Sequence, residues 1–311
     1  MPAKKRHAYK EVRLQQLRSF CETARLGSLT AAAASLGLAQ PTIWEQVHAL
    51  EHVFAAKLVE RHAHGCRLTP TGRMLAELAS PLVAGIDSLQ RNVREALQLQ
   101  ESRLTVAATP RIVYEDLPAA IVEFQRQHPQ VVFRLMEQSN EQVIASVESG
   151  EADLGLTLER EPTPANPWLS FELGYELDLM LVTPKDHPLA ERRRFQPRDL
   201  LDFPLVNAPD GLPDAAITAA LHKLGVFAQP RRVEAFYTSA IRRYVELGFG
   251  IGLIVGLPGH LPATNLHERS LSRHFGRIPV SLVQRRGVLP HGAAHSFAQT
   301  VKTVLQRPNE P

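Results

Sequence analysis

The sequence predicts a mixed α/β chain in three parts: a winged helix-turn-helix, a long helix, and two α/β lobes. Three observations predict it. A glycine-punctuated helical pair, GSLTAAAASLGLAQPTIWEQVHALE, runs from Gly27 to Glu51. Leu75, Leu82 and Leu89 then recur at a spacing of seven. From Leu104 onward, strand-like and helix-like runs alternate.

A first helix is expected from about Leu14 to Leu26, where Leu14, Leu17, Cys21 and Ala24 repeat at helical spacing beside Phe20 and Gly27 supplies the stop. Cys21 is thereby a small core residue rather than a reactive thiol. Ser28 can cap the next helix by accepting a free backbone N–H. Leu29 to Leu36 is alanine-rich, which favours helix and lets a neighbour approach closely. Gly37 ends it, and Pro41 suits the first turn of a third helix. There Ile43, Val47 and Leu50 form a buried face, leaving Thr42, Glu45, Gln46 and Ala49 outward. Such a pair places its second helix in the DNA major groove.

Lys57–Arg61 and Arg67–Thr69 are extended pieces around a glycine-containing turn, a hairpin wing that carries Arg61, His62, His64 and Arg67 within reach of phosphates. From Thr71 to about Gln100 a long helix is expected. Leu78, Ile86 and Val93 interleave with its heptad leucines, so it should pair with another helix, in a dimer with its own copy. Pro81 predicts a kink or local break.

In the first lobe, strands are expected at Leu104–Thr109, Val131–Glu137 and Ala152–Leu158. One helix carries Leu117, Ile121 and Phe124, and another is capped by Ser139 and ended by Gly150. A proline loop spans Glu161–Pro167. The second lobe has strands near Leu179–Thr183, Leu205–Asn207 and Arg232–Phe236, helices near Asp214–Leu224 and Ser239–Leu247, and an apolar strand ending near Val255. Val280–Gln284 and His295–Leu305 return to the first lobe. The alternation predicts a parallel sheet, with crossings between lobes near Leu177–Leu179 and Phe275–Ile278.

Composition narrows the function. The net charge of +3 conceals an asymmetry: residues 1–73 carry +6 and the rest sums to −3, so only the first part should meet a polyanion. No apolar run approaches the ~20 residues that span a bilayer, and no apolar segment follows the basic N-terminus as in a signal peptide. Two cysteines fit a reducing cytoplasm. His48, His52 and His62 to Cys66 do not complete a metal set, and no metal or other cofactor is expected. Gly248-Phe249-Gly250-Ile251-Gly252 follows a helix and leads into a strand, the reverse of a dinucleotide loop. No catalytic constellation is legible.

In order and in motif, the chain resembles the LysR-type transcriptional regulators over roughly Leu14 to Leu305. The resemblance rests on LQQLRSF, GSLTAAAASLGLAQPTI, RLTPTG and LVTPKDHPLA. It implies a winged DNA-binding domain over 1–73, a dimerisation helix over 74–101, and a periplasmic-binding-protein-like effector domain over 102–311. Within that domain, lobe I would hold about 102–177 and 278–305, and lobe II about 178–277. It further implies double-stranded DNA and a small coinducer as ligands, a homodimer or homotetramer, and RNA polymerase as a further candidate partner. A membrane is not among the partners.

By family position, Gln40, Pro41, Thr42, Trp44, Glu45 and Gln46 face the groove, with Ser28, Thr30, Arg61 and Arg67 near the backbone. The family commonly has Ser-Arg where this chain has Trp44-Glu45, and a glutamate can accept from cytosine rather than bind guanine. The implied effector residues are Thr109, Arg111, Ser139, Asn140, Thr157, Asn207, Tyr237, Thr238 and Phe249, with Arg111 suited to the carboxylate of an anionic effector. Two other readings are a solute-binding protein and an α/β enzyme without a DNA-binding role. The first leaves the basic helix-turn-helix unexplained, and the second lacks a catalytic set.

Overall fold

The computed structural model describes residues 12–62, 65–97, 102–158, 167–207, 215–228, 231–235, 237–259, 265–288 and 292–306. His64, most of the proline loop, Asp214 and Phe236 lie outside the described residues. The chain forms two units, one of residues 1–100, 163–170 and 285–290, the other of 101–162, 171–284 and 291–311.

In the first unit, α1 (Leu14–Leu26) stops at Gly27, whose φ of 61° is left-handed. Ser28 accepts from the Ala31 N–H at 3.2 Å and starts α2 (Leu29–Leu36). α3 (Gln40–Phe54) buries Ile43, Val47, Leu50 and Glu51. Those aliphatic side chains pack on Phe20, Leu29, Ala32 and Ala33. Truncating a fully buried isoleucine such as Ile43 to alanine costs about 2–5 kcal/mol. β1 (Val59–His62) and β2 (Gly65–Leu68) form the wing, pairing Val59 with Leu68 and His62 with Gly65. A Cβ on Gly65 would lie 2.4 Å from the Gly27 carbonyl oxygen, which also accepts from the Cys66 N–H at 2.8 Å. Glycine at 65 therefore lets the wing lie against the turn after α1.

Of the kink or local break expected at Pro81, the break does not occur: α4 (Pro70–Ala96) continues through it. The lost hydrogen bond is outweighed by packing, because Ala76, Ala79 and Ala84 are buried and Arg18 pairs with Asp87. The backbone of Gly287 seats on the Pro81 carbonyl, leaving no room for a Cβ there. The exposed apolar stripe of α4 runs through Met74, Leu78, Leu82, Leu89 and Val93. Leu75 instead turns into the core of the winged head, so the seam begins one residue away from the expected heptad.

The second unit contains β3 (Arg103–Ala108), a π-helical turn (Ile112–Asp116), α5 (Leu117–Gln127), β4 (Val132–Glu137), α6 (Asn140–Ser149) and β5 (Leu154–Thr157). There follow β6 (Leu169–Pro184), α7 (Pro188–Glu191), β7 (Leu205–Val206), α8 (Ala215–Lys223), β8 (Arg231–Val233) and α9 (Thr238–Glu246). β9 (Gly252–Gly256), β10 (Leu266–Ser270), α10 (Ser272–Phe275), β11 (Arg277–Arg285) and α11 (Ala293–Leu305) complete it.

The expected parallel sheet is mixed. Seven strands run in the order β10-β6-β11-β5-β3-β4, with β9 also on β6. Only β4, β3 and β5 are parallel; β11 is antiparallel to β5, and β9 and β10 are antiparallel to β6. The crossings expected as short links are parts of long strands, since β6 alone spans 16 residues. Helix-connected crossovers through α5 and α6 give the parallel neighbours β3, β4 and β5, and β9, β10 and β11 then add to the sheet in the opposite direction. β7 and β8 form a separate parallel pair, joined toward β9 by a bridge from Leu205 to Ile251. α5 and α11 pack together, with Phe124, Phe133 and Phe297 in mutual edge-to-face contact at 4.9–5.6 Å.

One charged group lies inside the head. Glu51, 5% exposed, accepts from the Leu58 N–H at 2.9 Å and from the Lys57 ammonium at 2.9 Å, and faces His48 Nδ1 at 3.0 Å. Burial pushes its carboxyl pKa up, but these donors and the Val59 N–H outweigh burial and hold it below the ordinary carboxylate value. Because the folded value is the lower, the stabilisation is present above the unfolded value of about 4.3 and fades as pH falls through the folded one. We expect Glu51→Ala to cost about 1–3 kcal/mol at neutral pH and to flatten the acid limb of the stability curve. Denaturant titration across pH checks this, and an unchanged midpoint rejects it.

Candidate nucleic-acid interface and effector cleft

The outward side of α3 and the wing make one candidate interface. Gln40, Pro41 and Glu45 are exposed on α3, Thr42 is half-buried, and Thr30 is exposed on α2. The Ser28 hydroxyl is engaged in its cap. Gln46 bonds Ser19 of α1, so its amide is turned toward that helix. His48 and Lys57 both pair with Glu51, and Glu45 makes no ion pair among the described residues. Arg61 and Arg67 are exposed on the wing, opposite Cys66 and Glu60 respectively. Trp44 is half-buried, and the Arg61 guanidinium carbon lies 4.4 Å from its ring centroid.

Both cysteines lie in this unit. Burial pushes the Cys21 thiol up to about 11, with Ser80 donating against the trend, and burial also raises Cys66. Neither is a reactive thiolate at neutral pH.

The effector candidates sit at the carboxyl edge of the parallel strands. Ala108 pairs with both Leu156 and Glu137, so Thr109, Thr157 and Ser139 follow on one edge. Thr157 donates to Asn140 Oδ1 at 2.9 Å, and Ser139 caps α6 in a reciprocal box with Gln142. Asn207, at the end of β7, clamps β9: its amide donates to the Leu253 carbonyl at 2.6 Å and accepts the Leu253 N–H at 2.8 Å. Thr238 is the first residue of α9, whose N-cap position, Tyr237, supplies no side-chain cap and is 64% exposed. Phe249 lies edge-on to Tyr244.

Arg111 is not a vacant cation. Its side chain is 13% exposed, and its guanidinium forks onto Asp116 at 3.0 and 2.7 Å. Tyr175, on β6, donates to the same carboxylate at 2.5 Å; burial first, and then Asp116, push its hydroxyl well above the ordinary phenol range. Glu115 sits 3.9 Å from Arg111 and 3.0 Å from Arg242 of α9, which also bonds Glu268 of β10 at 3.0 Å. Burial raises the Glu115 carboxyl, with Arg242 and Arg111 pulling it back. This network was not legible in the sequence. The only signal was two adjacent acids, Glu115 and Asp116, at i+4 and i+5 from Arg111.

A model of the bacterial regulatory helix-turn-helix of the LysR family matches residues 14–73, and a model of the LysR substrate-binding domain matches residues 97–306. The chain belongs to the LysR family. It is similar to the HTH-type transcriptional regulator CysB of Burkholderia cenocepacia, at 29% identity over 78% of each chain. It is also similar to a probable RuBisCO transcriptional regulator of Porphyra purpurea, at 25% identity over 96% of this chain and 95% of the other. Among solved structures, a full-length OxyR variant of Pseudomonas aeruginosa shares the fold at 19% identity, with a TM-score of 0.62 over 97% and 99% of the two chains. HinK, a LysR family regulator of the same organism, has 20% identity and a TM-score of 0.54 over 95% and 99%. As a LysR-family regulator, the protein pairs a DNA-binding helix-turn-helix head with a substrate-binding domain for a small effector. No described helix is long and apolar enough to cross a membrane.

Removing one partner of a buried pair strands the other. We expect Asp116→Leu alone to cost about 3–5 kcal/mol, and Arg111→Met with Asp116→Leu to cost less than either single change. Chemical denaturation of the four proteins checks this, and additive losses would show that the pair is not coupled.

Proposed function

We infer that the chain is a cytoplasmic, non-enzymatic regulator whose operator binding responds to a small anionic effector held at the strand ends of the second unit. The observation that carries this is the open first turn of α9: Tyr237 leaves its N–H groups without a side-chain cap, and Thr238 and Ser239 add hydroxyls beside them. Such a turn favours negative charge. Thr109, Ser139, Asn140 and Thr157 supply neutral donors from the other lobe, and Phe249 an apolar wall. Arg111 supports this site through Asp116 and is not assigned as the effector's carboxylate ligand. Tyr237 and Asn207 frame the site.

The exposed stripe of α4 supports a homodimer through this helix, as the first step to a tetramer, with RNA polymerase as a further partner of the DNA-bound form. Gln40, Pro41, Thr42 and Glu45 read bases, and Thr30, Arg61 and Arg67 hold phosphates. The relatives are named for unrelated regulated processes, so the effector's identity is not carried over from any of them. A thiol switch of the effector domain is disfavoured, because neither cysteine lies there.

Titration calorimetry with a panel of small carboxylates should find a ligand whose binding weakens about tenfold or more in Thr238→Val, because a site built on hydrogen bonds loses most when a partner is left unpaired. A panel without any ligand rejects the anionic reading. Separately, Glu45→Arg should reorder the ranking of operator variants, with about 1–3 kcal/mol of discrimination at stake at one base pair. Competition binding on DNA flanking the gene measures it, and an unaltered ranking removes Glu45 from base reading.

A further inference from the structure

We propose that Trp44 is a positioning residue for DNA binding: it carries the wing's Arg61 on its indole face as a pre-oriented phosphate ligand, coupling wing and recognition helix. The sequence placed Trp44 with the base-reading side chains, but the geometry points elsewhere. Trp44 is half-buried against the head's core, whereas Glu45, one residue on, projects into solvent. Arg61 lies over the indole at 4.4 Å, within the range of a cation–π contact. A guanidinium lying on an aromatic ring keeps the N–H groups around its edge available, which a salt-bridged one does not. Among the described residues no acceptor takes a hydrogen bond from Arg61, and the buried carboxylate of the head is not open to it. Glu51 is filled by Lys57, His48 and two backbone N–H groups instead.

The indole is itself held. His48, one turn along α3, stacks parallel to it at 5.5 Å and 8°, and His52 meets His48 edge-on at 5.0 Å. His48 is pinned in turn by Glu51, whose other oxygen accepts from the first residues of the wing. The wing is therefore joined to α3 at two points, through Glu51 at its root and through Trp44 and Arg61 further along β1. A long arginine free in solution loses rotamer entropy on binding phosphate. One already laid on a fixed ring has lost part of it before DNA arrives.

The test is fluorescence-anisotropy titration of a random-sequence duplex across a salt series, using full-length protein and the variants Trp44→Ala, Trp44→Phe, Arg61→Ala and Trp44→Ala with Arg61→Ala. A random duplex reports phosphate contacts without requiring the operator. Arg61→Ala should lower the slope of log affinity against log salt by about one and weaken binding. Trp44→Ala should weaken binding about two- to fivefold, the scale of an exposed cation–π contact, and the double variant should be no weaker than Arg61→Ala. Trp44→Phe keeps a weaker ring, preserves the fold if alanine does not, and should fall between wild type and Arg61→Ala. Additive losses in the double variant would overturn the proposal, because Trp44 would then touch DNA or support the fold on its own. So would a Trp44→Phe protein indistinguishable from Arg61→Ala, or an Arg61→Ala slope equal to wild type.

Discussion

The effector domain is arranged around one buried contact, the Arg111 guanidinium in the fork of Asp116. Neither group can leave the other without stranding a charge in a poorly solvated interior. Such a pair adds little net stability, because desolvation offsets attraction; what it imposes is geometry. Tyr175 ties the pair to β6, the longest strand of the sheet, and Glu115 extends it to Arg242 and Glu268. The π-helical turn makes this possible. In it the adjacent acids both lie beside Arg111, Asp116 in the fork of its guanidinium and Glu115 reaching on to Arg242.

The same logic divides the molecule electrically. In the winged head the carboxylate is consumed internally: Glu51 draws Lys57, His48 and two backbone N–H groups to itself. Arg61 and Arg67 are left on the surface. In the effector domain the described cations nearest the strand ends, Arg111 and Arg242, are consumed by carboxylates. The sequence's charge asymmetry therefore understates the difference. What matters to a polyanion is cationic groups without internal partners, and the head keeps such groups on its wing.

Local signals carried the head almost completely. α1 and α2 begin and end where the glycines and Ser28 require, and the Ile43, Val47 and Leu50 face is the buried one. Those features are written within one or two helical turns. The effector domain was legible as alternation but not as pairing. The strands at 266–270 and at 169–178 were not recognised, and nothing local states that β11 runs antiparallel to β5. The partners of one candidate residue were hidden in a similar way. Arg111 reads as a ligand for a carboxylate, and it is one, but for a carboxylate five residues along its own chain. A π-helical turn leaves too weak a periodic signature to reveal that. Trp44 reads as outward because its neighbours on α3 are, and only the cross-strand placement of Arg61 shows what the ring faces.

The consumed cations also limit how an effector can act. On the proposed reading, with Arg111 and Arg242 engaged, an incoming anion would meet neutral hydroxyls and backbone N–H groups, whose hydrogen bonds add modest free energy each. A ligand shifts a conformational equilibrium only by its difference in affinity between the two states. The Glu115–Arg242 contact joins the turn after β3 to the helix before β9, so any relative movement of those elements must break or keep it as a unit. Coupling between effector and DNA is typically about 1–3 kcal/mol, comparable to a few such hydrogen bonds. On the proposed reading, hydrogen bonds from a small ligand to both sets of strand ends are on the scale of that coupling.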